Sequence, residues 1–306
     1  MLRALFIALS ESRSIRAIAE RSPIGKRMSG RFVAGLDVSH AAQAAEELNR
    51  AGMSVTVDNL GENVTNTEEA RHSAALYHQL LDEISARGLD ANVSLKLTHM
   101  GFDVDPDLAR SIVDDLVTHA ARIGNFVRVD MEGSPYTQTT LDLVRAVHGA
   151  PGHAGFVGAV LQSYMRRTMK DAEELCAEGI RIRLCKGAYK EPAAIAFQAK
   201  SEVDENFMRV TRMLLESGTY HGIATHDPNM IAQTVQFARE NGIAPDRFEF
   251  QMLYGIRRDL QEQLVSEGWR VRIYVPFGTE WYPYFMRRLA ERPANVLFIL
   301  KNLFRR

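Results

Sequence analysis

The chain has 306 residues, 46% hydrophobic and 25% charged, which is ordinary globular usage and excludes disordered, collagenous and coiled-coil classes. Lys and Arg total 37 against 38 Asp and Glu, so no overall field favours nucleic acid or an anionic membrane, and any charge recognition is local. Length alone admits two domains of about 150 residues, or one α/β barrel of about 250.

In chain order, residues 1–32 carry seven basic side chains and two acidic ones, a surplus of five. A transit peptide and a membrane-surface helix compete with a plain N-terminal helical arm. Glu11 and Glu20 count against the transit peptide, and the arm is preferred, over residues 1–36. Cys176 and Cys185 lie in no CxxC or Cys/His spacing, so a reducing, cytoplasmic setting is expected. The longest uncharged stretch, Ala146 to Met165, holds two histidines, a proline and four glycines, and reads as loop and buried strand rather than membrane span.

From residue 37 to 306 a unit repeats: a helical pattern, a glycine, then a short apolar run with a polar end. The glycines are Gly52, Gly88, Gly124, Gly179, Gly218, Gly242 and Gly268, each where a helix C-terminus calls for a left-handed residue. The runs predict strands at Ser54–Asn59, Asn92–Leu97, Phe126–Glu132, Phe156–Ser163, Ile180–Cys185, Gly222–His226, Phe248–Leu253 and Val271–Tyr274. Their mean period of about 31 residues is that of a βαβ unit. Thr65 with Glu68 reads as a capping box before Tyr77, Leu80, Leu81 and Ile84; Asp105-Pro106 caps the helix of Leu108, Ile112, Val113 and Leu116. Regular alternation without a dinucleotide-binding glycine fingerprint predicts a closed (β/α)8 barrel, with eight helices and the N-terminal arm.

Such barrels work at the C-terminal strand ends, and these are Asp58-Asn59, Lys96, Asp130 and Glu132, Gln162, Arg183 and Lys186, Thr225-His226-Asp227, Gln251 and Tyr274. Gathering these charges over an apolar core costs free energy unless they are paired or bind a ligand. An ordinary polar rim explains any one of them equally well, but the set is more persuasive. The first strand lacks the HxH pair of metal-dependent barrel hydrolases, and His226 has no ligand spacing around it, so no metal is expected. Nucleophile-elbow and Walker A motifs are missing. Lys96 or Lys186 could form a Schiff base, which keeps a class I aldolase-like lyase open, and a barrel that only binds is a third reading. In the last helix Tyr284, Arg287, Arg288 and Glu291 share one face by spacing; two adjacent guanidinium forks suit a carboxylate, while the double arginine alone reads more readily as a solvated helix face with local ion pairs.

Several segments together resemble proline dehydrogenases. They are Val93-Ser-Leu-Lys96-Leu, Val127-Arg-Val-Asp130-Met131-Glu132, Gln162-Ser-Tyr, Arg183-Leu-Cys-Lys186-Gly187-Ala188-Tyr189, Ala224-Thr225-His226, Phe248-Glu-Phe-Gln251-Met-Leu253-Tyr-Gly255, Arg272-Ile-Tyr274-Val-Pro276-Phe-Gly278 and Tyr284-x-x-Arg287-Arg288-x-x-Glu291. The order is that of the family, in its compact monofunctional bacterial form. The resemblance implies a distorted barrel with its last helix over the mouth, and oxidation of L-proline to Δ1-pyrroline-5-carboxylate with non-covalent FAD. Carried over by position, Asp130 and Arg183 are catalytic, and Lys96, Leu253, Tyr274, Arg287 and Arg288 bind substrate. Met131, Gln162, Arg183, Lys186, Gly187, Ala188, Thr225 and His226 bind the cofactor, with Tyr189 beside both ligands. Asp130 is expected to hydrogen-bond Tyr274 or an arginine. The family also implies a membrane quinone as electron acceptor, with peripheral contact at the inner membrane through the basic arm. Cys185 is expected to pack as a small hydrophobe.

Overall fold

The computed structural model describes residues 30–291, with side chains through Met286. Nine α-helices and eight strands alternate among them: α1 (Val38–Arg50), β1 (Ser54–Asn59), α2 (Thr67–Ala86), β2 (Ala91–Leu95), α3 (Pro106–Arg122), β3 (Val127–Val129), α4 (Ser134–His148), β4 (Val157–Gln162), α5 (Thr168–Ala177), β5 (Arg181–Cys185), α6 (Lys200–Glu216), β6 (His221–Ala224), α7 (Pro228–Glu240), β7 (Phe248–Leu253), α8 (Arg258–Ser266), β8 (Val271–Phe277) and α9 (Trp281–Glu291). The strands pair in parallel in chain order and β8 returns to β1, closing the barrel predicted from the period.

Alternation along the strands explains both the barrel and its site. One parity is apolar: Val55, Val57, Val93, Leu95, Val127, Val129, Ile182, Leu184, Phe250, Ile273 and Val275 have no exposed surface and belong to one core cluster shared with the helices. Burying such a side chain contributes about 1.5–3 kcal/mol relative to leaving it exposed. The other parity is polar: Thr56, Asp58, Asn92, Ser94, Arg128, Arg183, Glu249, Gln251 and Arg272 are buried as well. Hydrogen bonds join residues of strands that are not neighbours, as from Arg183 on β5 to Ser94 on β2, so this set fills the barrel interior. Barrel interiors are usually packed with branched apolar residues. Here Asp58 with Lys96, Arg183 with Asp130 and Arg272 with Glu249 are buried in pairs, the arrangement that offsets their desolvation, while Arg128 donates to the Ala159 and Arg181 carbonyls. At the floor, Arg272 Nε lies 2.8 and 3.0 Å from the two Glu249 oxygens, which also accept from Gln251 and Tyr220.

All seven helix-terminating glycines adopt positive φ, between 60° and 85°, which side chains tolerate poorly. Asp105 caps α3 as expected, accepting from the Asp107 and Leu108 amides with Pro106 in the first turn. Other expectations are corrected. The cap of α2 is Asn66, whose side chain accepts from the Glu69 amide, while Glu69 reaches back to the Thr65 amide. The box is therefore displaced by one residue from Thr65 and Glu68, because Asn66 is the residue with extended backbone. β3 has only three residues rather than seven; the Asp130 amide still donates to the Leu95 carbonyl at 2.8 Å, and the pairing goes no further. β2 stops at Leu95 and β6 at Ala224, short of Lys96, Leu97, Thr225 and His226, whereas β8 continues to Phe277. Residues 30–37 form turns and bends rather than helix, and the rest of the predicted arm lies outside the described residues. Among the described residues the helices number nine rather than eight because α1 precedes β1. No described helix is long and apolar enough to cross a membrane.

Candidate active site

The C-terminal strand ends converge on a network centred on Asp130. Its Oδ1 accepts from Arg183 Nη1 at 2.6 Å and from the Ser94 hydroxyl at 2.7 Å, and its Oδ2 accepts from the Tyr274 hydroxyl at 2.8 Å. These donors stand on β5, β2 and β8, so one carboxylate ties together three well-separated strands. Arg183 Nη1 also donates to Ser94 and its Nε to Gln251, and the guanidinium carbon lies 5.1 Å from the centre of the Tyr274 ring. Burial, then the neighbouring Asp130 charge, pushes the Tyr274 phenol well above its usual range, so it remains a donor near neutral pH. Arg183 Nη2 is buried with no hydrogen-bond partner among the described residues.

Lys96 and Asp58 form a second pair, 3.4 Å apart, and the Tyr77 hydroxyl, 2.7 Å from the Ser94 carbonyl, lies 3.2 Å from Asp58 Oδ1. Burial pushes the Lys96 ammonium down, but Asp58 and Asp130 more than reverse this and its pKa is raised. A lysine that attacks a carbonyl needs the opposite shift. Burial raises the Asp58 carboxyl against the pull of Lys96. Glu132 accepts from the amide and hydroxyl of Thr98, in the turn that follows β2.

The remaining predicted residues form a flank on the β4–β7 side. Lys186 donates to Asp204 and Asp227 at 2.5 and 2.8 Å, and the Asp227 amide donates to the Thr225 hydroxyl. His226 Nε2 accepts from the Leu253 amide at 2.8 Å, which orients both side by side. Gln162 reaches the Met131 carbonyl at 3.4 Å. Gly187 has φ +109°, and a Cβ there would lie 2.4 Å from the Tyr164 ring, so backbone strain and space both demand glycine. Gly187 and Ala188 are exposed, and Tyr189 is 41% exposed. Burial and the charge of Glu132 nevertheless raise the Tyr189 phenol to about 12. Cys185 packs beside the core, where burial pushes its thiol up to about 11. Arg287 and Arg288 lie on α9, and their side chains are outside the described residues. Beside the β1 edge of the mouth a cleft of about 710 Å³ is lined by Glu62, Glu68, Glu69, His72, His99 and Glu280.

Sequence reasoning missed Ser94, which bridges Asp130 and Arg183. Its signal was parity: Asn92, Ser94 and Lys96 alternate with Val93, Leu95 and Leu97. A hydroxyl in that register belongs to the interior.

The fold and site define a barrel enzyme whose mouth is braced by a buried Arg–Asp–Tyr network. Residues 41–301 match the family Proline dehydrogenase, and the chain belongs to that family of flavin-dependent oxidoreductases of proline catabolism. It is 42% identical over 302 residues to proline dehydrogenase 2 of Bacillus subtilis (strain 168), covering 98% of each chain. It is 38% identical over 303 residues to the proline dehydrogenase of Deinococcus radiodurans, covering 96% of this chain and 97% of that one. Among solved structures it resembles proline utilization A (PutA) from Bdellovibrio bacteriovorus inactivated by N-propargylglycine, with a TM-score of 0.85 at 22% identity. That match covers 100% of this chain and 38% of the PutA chain, and establishes the shared fold.

Proposed function

We propose that this chain oxidises L-proline to Δ1-pyrroline-5-carboxylate using non-covalently held FAD. The single observation that carries the reading is the buried Arg183 guanidinium, braced by Asp130 and Gln251 with Nη2 unpartnered. An isoalloxazine presents several acceptor atoms along one edge, and such an edge satisfies a buried N–H that otherwise costs free energy. The donor set therefore fits a flavin. Lys186, Gly187, Ala188, Thr225, His226, Gln162 and Met131 would hold it along the β3–β6 side.

Bound flavin supplies a hydride acceptor at N5. Arg287 and Arg288 hold the substrate carboxylate through paired guanidinium donors, which fixes the ring against rotation. Lys96, Leu253 and Tyr274 line the proline pocket, with Tyr189 at its edge. Arg183 places positive charge where negative charge develops, an electrostatic assistance that a dry, pre-organised site makes large. Asp130 already accepts three hydrogen bonds, which supports a brace for Arg183 and Tyr274 rather than the acceptor of the amine proton. Proline reacts as the neutral amine, because hydride leaves the carbon next to a nitrogen that must share its electron pair.

We also assign the enzyme to the cytoplasm, with a membrane quinone as acceptor and with the arm, expected over residues 1–36, reduced to the segment before residue 30, since residues 31–35 pack on the barrel; the basic surplus of residues 1–32 supports a contact of that segment with anionic lipid. Turnover of L-proline by the purified, flavin-loaded protein, with a soluble quinone as acceptor and the product identified by mass, tests the reaction. Pyrroline carboxylate is the expected product, and its failure to form with flavin bound refutes the assignment.

A further inference from the structure

Helix α9 is anchored differently from the others. Its buried residues Trp281, Tyr282, Tyr284, Phe285 and Met286 belong to a small apolar cluster separate from the main core. The other buried members are Leu60, at the end of β1, and Phe32 and Val33, which precede the first helix. An element held by a satellite cluster has less apolar burial fixing its position than one seated on the main core.

The chain around Phe32 is itself pinned tightly. The Ala34 amide donates to the Pro276 carbonyl and the Gly278 amide donates to the Gly35 carbonyl, both at 2.9 Å, so this segment runs beside the end of β8. At Gly255, after β7, φ is +72° and a Cβ would lie 1.9 Å from the Arg31 carbonyl oxygen. The backbone of Arg31 thus occupies space that any other residue at 255 would fill. The rings of Phe32 and Phe285 are 5.9 Å apart between centroids.

We propose that residues 31–35 form a positioning strap for α9, so that affinity for the substrate carboxylate depends on a segment some 250 positions away in sequence. The strap touches neither flavin nor proline; it acts through the helix backbone that carries Arg287 and Arg288, and so rests on the reading that those arginines hold the carboxylate. Loosening it lets the guanidinium pair wander from its docking geometry, which weakens binding more than it slows the bound substrate.

The test uses full-length holoenzyme. Phe32→Ala is expected to raise KM for proline about tenfold, near 1.4 kcal/mol of lost binding, with kcat within about twofold and the flavin absorbance unchanged. Phe32→Leu, which keeps an apolar side chain, restores most of the KM. Gly255→Ala, which displaces Arg31, shifts KM in the same direction. Hydrogen exchange of residues 281–291 in flavin-free protein should be faster in Phe32→Ala, a readout independent of turnover. Arg288→Ala separates the two readings. If it leaves KM unchanged, the carboxylate clasp fails and the proposal with it. If it raises KM while Phe32→Ala and Gly255→Ala change neither KM nor exchange, the clasp stands and the strap is overturned.

Discussion

Tyr274 on β8 and Asp130 after β3 meet inside the barrel, hydroxyl to carboxylate at 2.8 Å, although neither strand pairs with the other. The bond fixes the ring under which Arg183 lies. Tyr274→Phe keeps the ring and removes this donor. A hydrogen bond to a charged group is worth about 1.5–3 kcal/mol, so kcat/KM for proline should fall about tenfold to a hundredfold in steady-state assays. A value within about twofold of the parent would show that the hydroxyl does not contribute.

Arg288→Lys replaces a planar fork with a point charge. KM for proline should rise about tenfold or more while flavin remains bound, because the proposed bidentate grip on the carboxylate would be lost although the charge is kept. An unchanged KM would count against the carboxylate grip.

Lys96 is held charged by Asp58 and Asp130. Treatment with a carbonyl compound and borohydride should therefore leave the intact mass of the protein unchanged, and an adduct on Lys96 would revive the Schiff-base lyase. Lys96→Met removes the counter-ion of the buried Asp58 and should destabilise the fold by about 3 kcal/mol, seen as a lower urea midpoint.

His99 and His221 are buried, and desolvation lowers both to about 3 from the usual 6.5. Below pH 6.5 the unfolded chain takes up protons that the folded state refuses. Their contribution is thus complete above pH 6.5 and is lost as pH falls from there towards 3. Urea midpoints should fall steadily between pH 7 and pH 5, and His221→Gln should flatten that slope. A parent curve flat over this range would show that the two rings are not held neutral.

Glu191 ties the loop after β5 to the start of α4, accepting from the Ser134 amide at 2.7 Å and its hydroxyl at 2.6 Å. This capping role keeps Tyr189, two residues earlier, over the mouth. Glu191→Ala should cost about 1 kcal/mol, as lost caps do, with faster hydrogen exchange around Tyr189. Unchanged exchange there would leave the tie without consequence for the loop.

Much of the barrel was legible because its outward parity is apolar and its helix-ending glycines are regular: β1 and β7 fall on their predicted residues. Strand ends were less legible. β3 has three residues, and beyond it only the Asp130 amide still donates to β2, at the Leu95 carbonyl, while the Asp130 side chain meets Arg183, a tertiary contact with no local signature. Arg272 stood in a predicted strand with no role assigned, yet it is buried against Glu249, since its parity turns it into the barrel interior. Ser94 was passed over because a neutral hydroxyl carries no charge signal. The expected meeting of Asp130 with Tyr274 or an arginine did appear, with both partners at once. The flavin could not be read from spacing, because no glycine fingerprint marks it and the residues proposed to hold it stand at four strand ends.

The most direct measurement is anaerobic titration of the purified protein with L-proline while the visible absorbance is recorded. The account predicts a yellow protein whose oxidised-flavin bands bleach completely, with pyrroline carboxylate formed in an amount equal to the flavin reduced. A flavin-loaded protein whose bands persist in excess proline would contradict it.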